Sequence, residues 1–152
     1  MSTKDPFHDL LSQQGILPME AMAWTKQNAK SILIGIPKEI SLNENRIPLS
    51  PTSVKLLIAN GHQIIIEEGA GKRAGFEDSD YLLAGASVSG DLSQIWACPL
   101  LLKLTPPTLN EIGLMKKNAC IISCAATFLL SEDMIDAMNQ KKILGIGMEY
   151  VK

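Results

Sequence analysis

Histidine is almost missing from this chain, and cysteine is sparse. Only His8 and His62 occur, so residues 63–152 carry no histidine at all. Cys98, Cys120 and Cys124 make an odd count in a chain with no export signal, which reads as reduced thiols. No Cys/His spacing for a metal exists, since both histidines are remote in sequence from the Cys120–Cys124 run. That run, "ACIISCAA", reads as two buried small hydrophobes. Long apolar stretches are also lacking. None approaches the roughly 20 residues of a membrane helix, and "MSTKDPFHDLLSQQ" has no apolar core of signal-peptide length. A cytoplasmic protein without a membrane segment is the default expectation. An excess of basic charge is absent too. The net charge is −2 with both signs interspersed, which argues against a nucleic-acid partner.

What is present is an ordinary globular composition, 46% hydrophobic and 20% charged, in 152 residues. That length suits one domain with a sizeable core. Residues 1–30 stand apart. Phe7, Leu10, Leu11, Ile16, Leu17, Met19, Met22 and Trp24 predict one or two short helices broken near Gly15 and Pro18. This N-terminal helical arm packs either on its own domain or on a partner subunit.

From Ser31 the pattern becomes regular. "ILIGI" is a strand, and Ser50 and Pro51 open a helix that Asn60-Gly61 ends. "HQIIIEE" is a strand, "EDSDYLLAGA" a short helix, "SVS" a brief strand and "DLSQIWA" a helical turn or two. "PLLLKL" is a strand. Thr108 and Glu111 form a capping box before "IGLM". "ACIISC" is a strand, Ser131 caps "EDMIDAMNQ", and "KILGIGMEY" is the last strand. Strands that alternate with helices and read as solid apolar runs predict a parallel sheet covered on both faces. The expected fold is therefore α/β: a doubly wound, mainly parallel sheet, Rossmann-like or flavodoxin-like, over residues 31–152.

In such a sheet ligands bind off the carboxyl ends of the strands, which singles out loops 37–50, 67–76, 103–108 and 124–131. "GAGKRAG" (Gly69 to Gly75) has Ala74 where a third phosphate-loop glycine would stand and lacks a Walker ending, so it reads as a plain turn. "GIGMEY" has no helix after it and reads as a strand end. No cofactor-binding motif is present. Arg46 can grip a substrate carboxylate with its planar fork, or it is a solvated loop arginine paired with Glu39 or Glu44. Lys103, inside an apolar strand, is either aimed into the crevice or laid along an edge strand with its stem on apolar surface.

The ordered segments "IGIPKEISLNENRIPLSP", "GHQIIIEEGAG", "GFEDSDYLLAGA", "IWACPLLLKL" and "GMEY" resemble the N-terminal, substrate-side domain of the alanine dehydrogenase / pyridine nucleotide transhydrogenase family, from about Ile32 to Tyr150. The resemblance implies a two-domain NAD(P)-linked oxidoreductase. Its NAD-binding Rossmann domain would follow a segment like "MEYVK" and is absent from this chain, which then looks like a piece of a longer protein, inactive by itself. NAD or NADP would be bound mainly by that other domain. The full-length protein is expected to be a homo-oligomer acting on a small amino or keto acid.

The resemblance also carries residue roles. The family's loop arginine, which holds the substrate carboxylate, matches Arg46. The first lysine of its "K-x-K-E-P" strand end matches Lys103. Its second lysine is replaced by Thr105, and its catalytic histidine, counted back from Ser131, by Thr127. No catalytic residue is therefore assigned, and no metal. Three readings stay open. One is an alanine dehydrogenase, converting L-alanine, NAD and water to pyruvate, ammonia and NADH. The second is a transhydrogenase alpha-subunit domain, which needs no amino-acid acid–base groups. The third is a non-catalytic binding or regulatory domain that has lost the lysine and the histidine.

Overall fold

Local signals start the helices where the sequence predicts them. The computed structural model describes residues 30–124 and 130–148; the predicted N-terminal arm and Thr127 lie outside them. Strand β1 (Leu33–Ile36) leads to helix α1 (Pro51–Ala59), whose N-cap Ser50 accepts the Ser53 N–H. Strand β2 (Gln63–Glu67) follows, then one 3-10 turn (Lys72–Ala74) and α2 (Asp78–Leu83). Strand β3 (Ser87–Ser89) precedes α3 (Leu92–Trp96), and β4 (Leu100–Lys103) precedes α4 (Leu109–Leu114). In the capping box of α4, Thr108 Oγ1 accepts the Glu111 N–H and Glu111 accepts the Thr108 N–H. Strand β5 (Cys120–Ser123), α5 (Glu132–Lys141) and β6 (Leu144–Gly147) complete the described elements.

The six strands form one sheet in the order β3-β2-β1-β4-β5-β6, with each described pairing parallel. This is the Rossmann order, not the flavodoxin one. The chain runs outward from β1 to β3, then crosses back and runs outward again from β4. The reversal lies between β1 and β4, so their carboxyl ends diverge into loops that leave in opposite directions. In sheets of this order the ligand crevice lies at such a reversal.

Alternate strand residues face opposite sides. Ile34, Ile36, Ile64 and Ile66 pack with Val54 of α1 and Tyr81 of α2. On the other face, Leu101 and Ile121 pack with Trp96, Ile112, Met115 and Met138 from α3, α4 and α5. Gly35 lies at the tightest point. A Cβ there would stand 2.6 Å from the Ile95 carbonyl oxygen and 2.8 Å from Leu101 Cδ2. The expectation of cover on both faces fails at β6, where all four residues are exposed. Leu144 and Ile146 share the α1–α2 face with Cys120 and Ile122 through the strand register. Among the described residues, the helices beside β5 and β6 pack on the opposite face.

Candidate functional site

The loop after β1, residues 37–50, is held to its neighbours at several points. The Lys38 N–H donates to Glu67 Oε2 at 2.7 Å. Arg73 Nη1 donates to the Ser41 carbonyl at 2.7 Å and to the Glu44 carbonyl at 3.4 Å. The Tyr81 hydroxyl donates to the Leu49 carbonyl at 3.0 Å. Arg73 therefore belongs to the support of this loop, a role that "GAGKRAG" hides inside an ordinary turn. The glycines of that turn are also spent locally. The Gly69 N–H donates to Asp78 Oδ1, and a Cβ on Gly71 would lie 2.6 Å from the Tyr81 ring. A 3-10 turn follows instead of an open helix end. These residues do not fit a dinucleotide phosphate.

Arg46 projects from this loop with its side chain 76% exposed. It is paired with Glu44, one of the two acids foreseen for it. Nε donates to Glu44 Oε1 at 2.8 Å and Nη2 to Oε2 at 2.7 Å, while the Arg46 N–H reaches Oε1 at 3.0 Å. The hydrogen bonds from Arg46 hold the Glu44 carboxyl down to about 2, and Glu44 in turn raises Arg46. Cys124 stands at the carboxyl end of β5, just past Ser123. Cys124 is exposed and Cys120 half-buried, not two buried hydrophobes as the apolar run suggested. The physical reason is position. The strand ends at Ser123, and Cys124 follows where the chain leaves the sheet.

Lys103 ends β4, an interior strand flanked by β1 and β5, so it is not the edge-strand lysine that the sequence allowed. It is 1% exposed. Its Nζ donates to Glu39 Oε2 at 3.0 Å and to Thr105 Oγ1 at 2.8 Å, and lies 3.5 Å from Glu111 Oε1. Glu39 also accepts the Leu104 N–H on Oε1 and the Thr105 hydroxyl on Oε2, each at 2.5 Å. One buried carboxylate thus ties the loop after β1 to the loop after β4.

The structure brings Lys103 and Thr105 together, and places Arg46 on the neighbouring loop in a separate ion pair. Sequence reasoning offered Glu39 only to Arg46, not to Lys103, and saw Glu111 only as a cap. The available signal was Lys103 itself. A lysine in an apolar strand needs a buried acid, and an acid just past the adjacent strand is the nearest source.

Among the described residues, no group of three or more His, Cys, Asp or Glu is placed to hold a metal ion, and no helix is long and apolar enough to cross a membrane. The family described as "Alanine dehydrogenase/PNT, N-terminal domain" matches residues 35–152. An alanine dehydrogenase of Staphylococcus saprophyticus is 37% identical over 122 residues, 80% of this chain and 32% of that protein. An alanine dehydrogenase of Bacillus subtilis is 36% identical over 79% of this chain and 32% of its own length. A solved L-alanine dehydrogenase superposes with a TM-score of 0.69 at 32% identity, covering 78% of this chain and 32% of that one. A transhydrogenase from Sinorhizobium meliloti superposes with a TM-score of 0.71 at 31% identity, covering 77% and 35%. The chain therefore spans about a third of the length of the curated relatives it matches. With the family matched over residues 35–152 and the sheet order and switch-point loops in place, the chain belongs to the alanine dehydrogenase/PNT family, over its N-terminal domain.

Proposed function

We propose that these residues form the substrate-side domain of an NAD(P)-linked oxidoreductase of the alanine dehydrogenase type. The overall reaction is L-alanine, NAD+ and water giving pyruvate, ammonium, NADH and a proton. The observation that carries this reading is that Arg46 lies on the loop after β1 and Lys103 at the carboxyl end of β4, the two strands that flank the reversal. Arg46 is the carboxylate grip. It is exposed, and its planar fork matches a carboxylate edge.

Lys103 contributes from beneath. Its ammonium is engaged by Glu39, Thr105 and Glu111, so direct contact with a substrate requires one of these partners to give way. Thr105 supplies no second cation, and its hydroxyl is used within the same network. In this reading NAD or NADP is held mainly by a domain outside these residues, and the ligand is a small amino or keto acid. The full-length protein is a homo-oligomer in the cytoplasm.

The test is an assay of the full-length product. Alanine-dependent reduction of NAD, lost in Arg46→Ala, supports the proposal. NADH-dependent reduction of an NADP analogue without alanine turnover would replace it with a transhydrogenase. Neither activity would leave the binding-domain reading. The 152-residue chain alone is expected to show no turnover.

A further inference from the structure

The guanidinium assigned to the substrate carboxylate already holds one. Nε and Nη2 of Arg46 each donate to a different oxygen of Glu44, at 2.8 and 2.7 Å. A free carboxylate binds arginine through the same two-point, side-on geometry. Glu44 lies two residues from Arg46 and stays ionised at any pH near neutral, held there by the arginine's own hydrogen bonds. The backbone beneath it is pinned by Arg73 at the carbonyls of Ser41 and Glu44. The Glu44 side chain can therefore swing out while the loop keeps its shape.

We propose that Glu44 is a built-in competitor for the Arg46 fork, and so sets how tightly the site holds any free carboxylate. The proposal rests on the reading of Arg46 as the substrate grip. Exchange replaces one anion by another with the same number of hydrogen bonds, while the released Glu44 becomes solvated. The Glu44 side chain is only 13% exposed against 76% for Arg46, so leaving the fork returns a mostly covered carboxylate to water. The competitor is also tethered, and its effective concentration exceeds that of a dilute free anion. The contest lowers the affinity of every free carboxylate by the same factor.

The test is calorimetric titration of the 152-residue protein with pyruvate and with acetate, using wild type, Glu44→Gln, Arg46→Ala and the double variant. Glu44→Gln is expected to tighten pyruvate and acetate alike, by about threefold or more. Arg46→Ala is expected to abolish binding in both backgrounds. If Arg46→Ala abolishes binding but Glu44→Gln leaves pyruvate affinity unchanged or weaker, the competitor is wrong and the grip stands. If Arg46→Ala leaves binding intact, both fail. Absence of pyruvate binding to wild type and Glu44→Gln alike also overturns the proposal. A second readout is the Arg46 Nε–H proton resonance. Glu44→Gln should move it toward the free-arginine position, and pyruvate should move it back. A resonance in Glu44→Gln that does not respond to saturating pyruvate contradicts the exchange.

Discussion

Lys103 Nζ lies 3.0 Å from Glu39 Oε2, and this buried pair joins the end of β4 to the loop that follows β1. It spans 64 residues of sequence and crosses the one place where the sheet reverses its winding. The loops that diverge there are tied by this ion pair and by the hydrogen bonds that Glu39 accepts from Leu104 and Thr105.

Removing one member leaves the others buried without a counter-charge. Lys103→Met should cost about 3–5 kcal/mol in urea denaturation, because Glu39 and Glu111 lose the cation between them. The double variant Glu39→Gln/Lys103→Met should recover part of that loss. Thr105→Val should cost about 1–2 kcal/mol by deleting the hydroxyl between Lys103 and Glu39, and Thr105→Ser should lie near wild type.

Gly35 faces the same junction. Gly35→Ala should cost about 1–3 kcal/mol, since its Cβ would meet the Ile95 carbonyl oxygen and Leu101. Gly113→Ala is the matched control in open space, and thermal melts compare the two.

How much of this was legible in the sequence depends on the range of each interaction. Ser50, Thr108 with Glu111, and Ser131 cap their own helices, so residues within three positions decide the outcome. Those signals read directly. The solid apolar strands also conveyed a parallel sheet. Strand order did not read, because the pairing of β4 with β1 joins residues far apart in the chain. The site divides in the same way. Arg46 and its partner Glu44 are two residues apart and were both foreseen. Glu39 reaches Lys103 over 64 residues and Arg73 reaches Ser41 over 32, and neither contact was foreseen. Exposure at β6 was also hidden. Its apolar residues resemble those of a buried strand, and only the fold shows which face the neighbouring helices take.

Alkaline pH should weaken the fold through Tyr81. Burial first, and the charge of Asp80 second, push this phenol up to about 12. A raised folded-state value stabilises the fold below the unfolded value of about 10. That contribution is lost as pH rises from about 10 toward about 12. Urea stability followed across this window should decline in wild type and decline less in Tyr81→Phe. At neutral pH Tyr81→Phe should cost about 1 kcal/mol, for the hydrogen bond to the Leu49 carbonyl.

The thiols should separate by position. Burial pushes Cys98 and Cys120 up, so less thiolate is present at neutral pH, whereas Cys124 is exposed. Cys124 is expected to react first with a thiol reagent at pH 7. Cys124→Ser should remove that fast phase and leave the slower reaction of Cys98 and Cys120.

The central claim is that a small carboxylate binds at the β1/β4 reversal through Arg46. Amide chemical-shift mapping of the 152-residue protein during pyruvate titration tests it most directly. The predicted result is saturable shifts concentrated in residues 37–50 and 104–108, abolished by Arg46→Ala with the fold intact. Saturable shifts elsewhere, or shifts in these loops that survive Arg46→Ala, would contradict it.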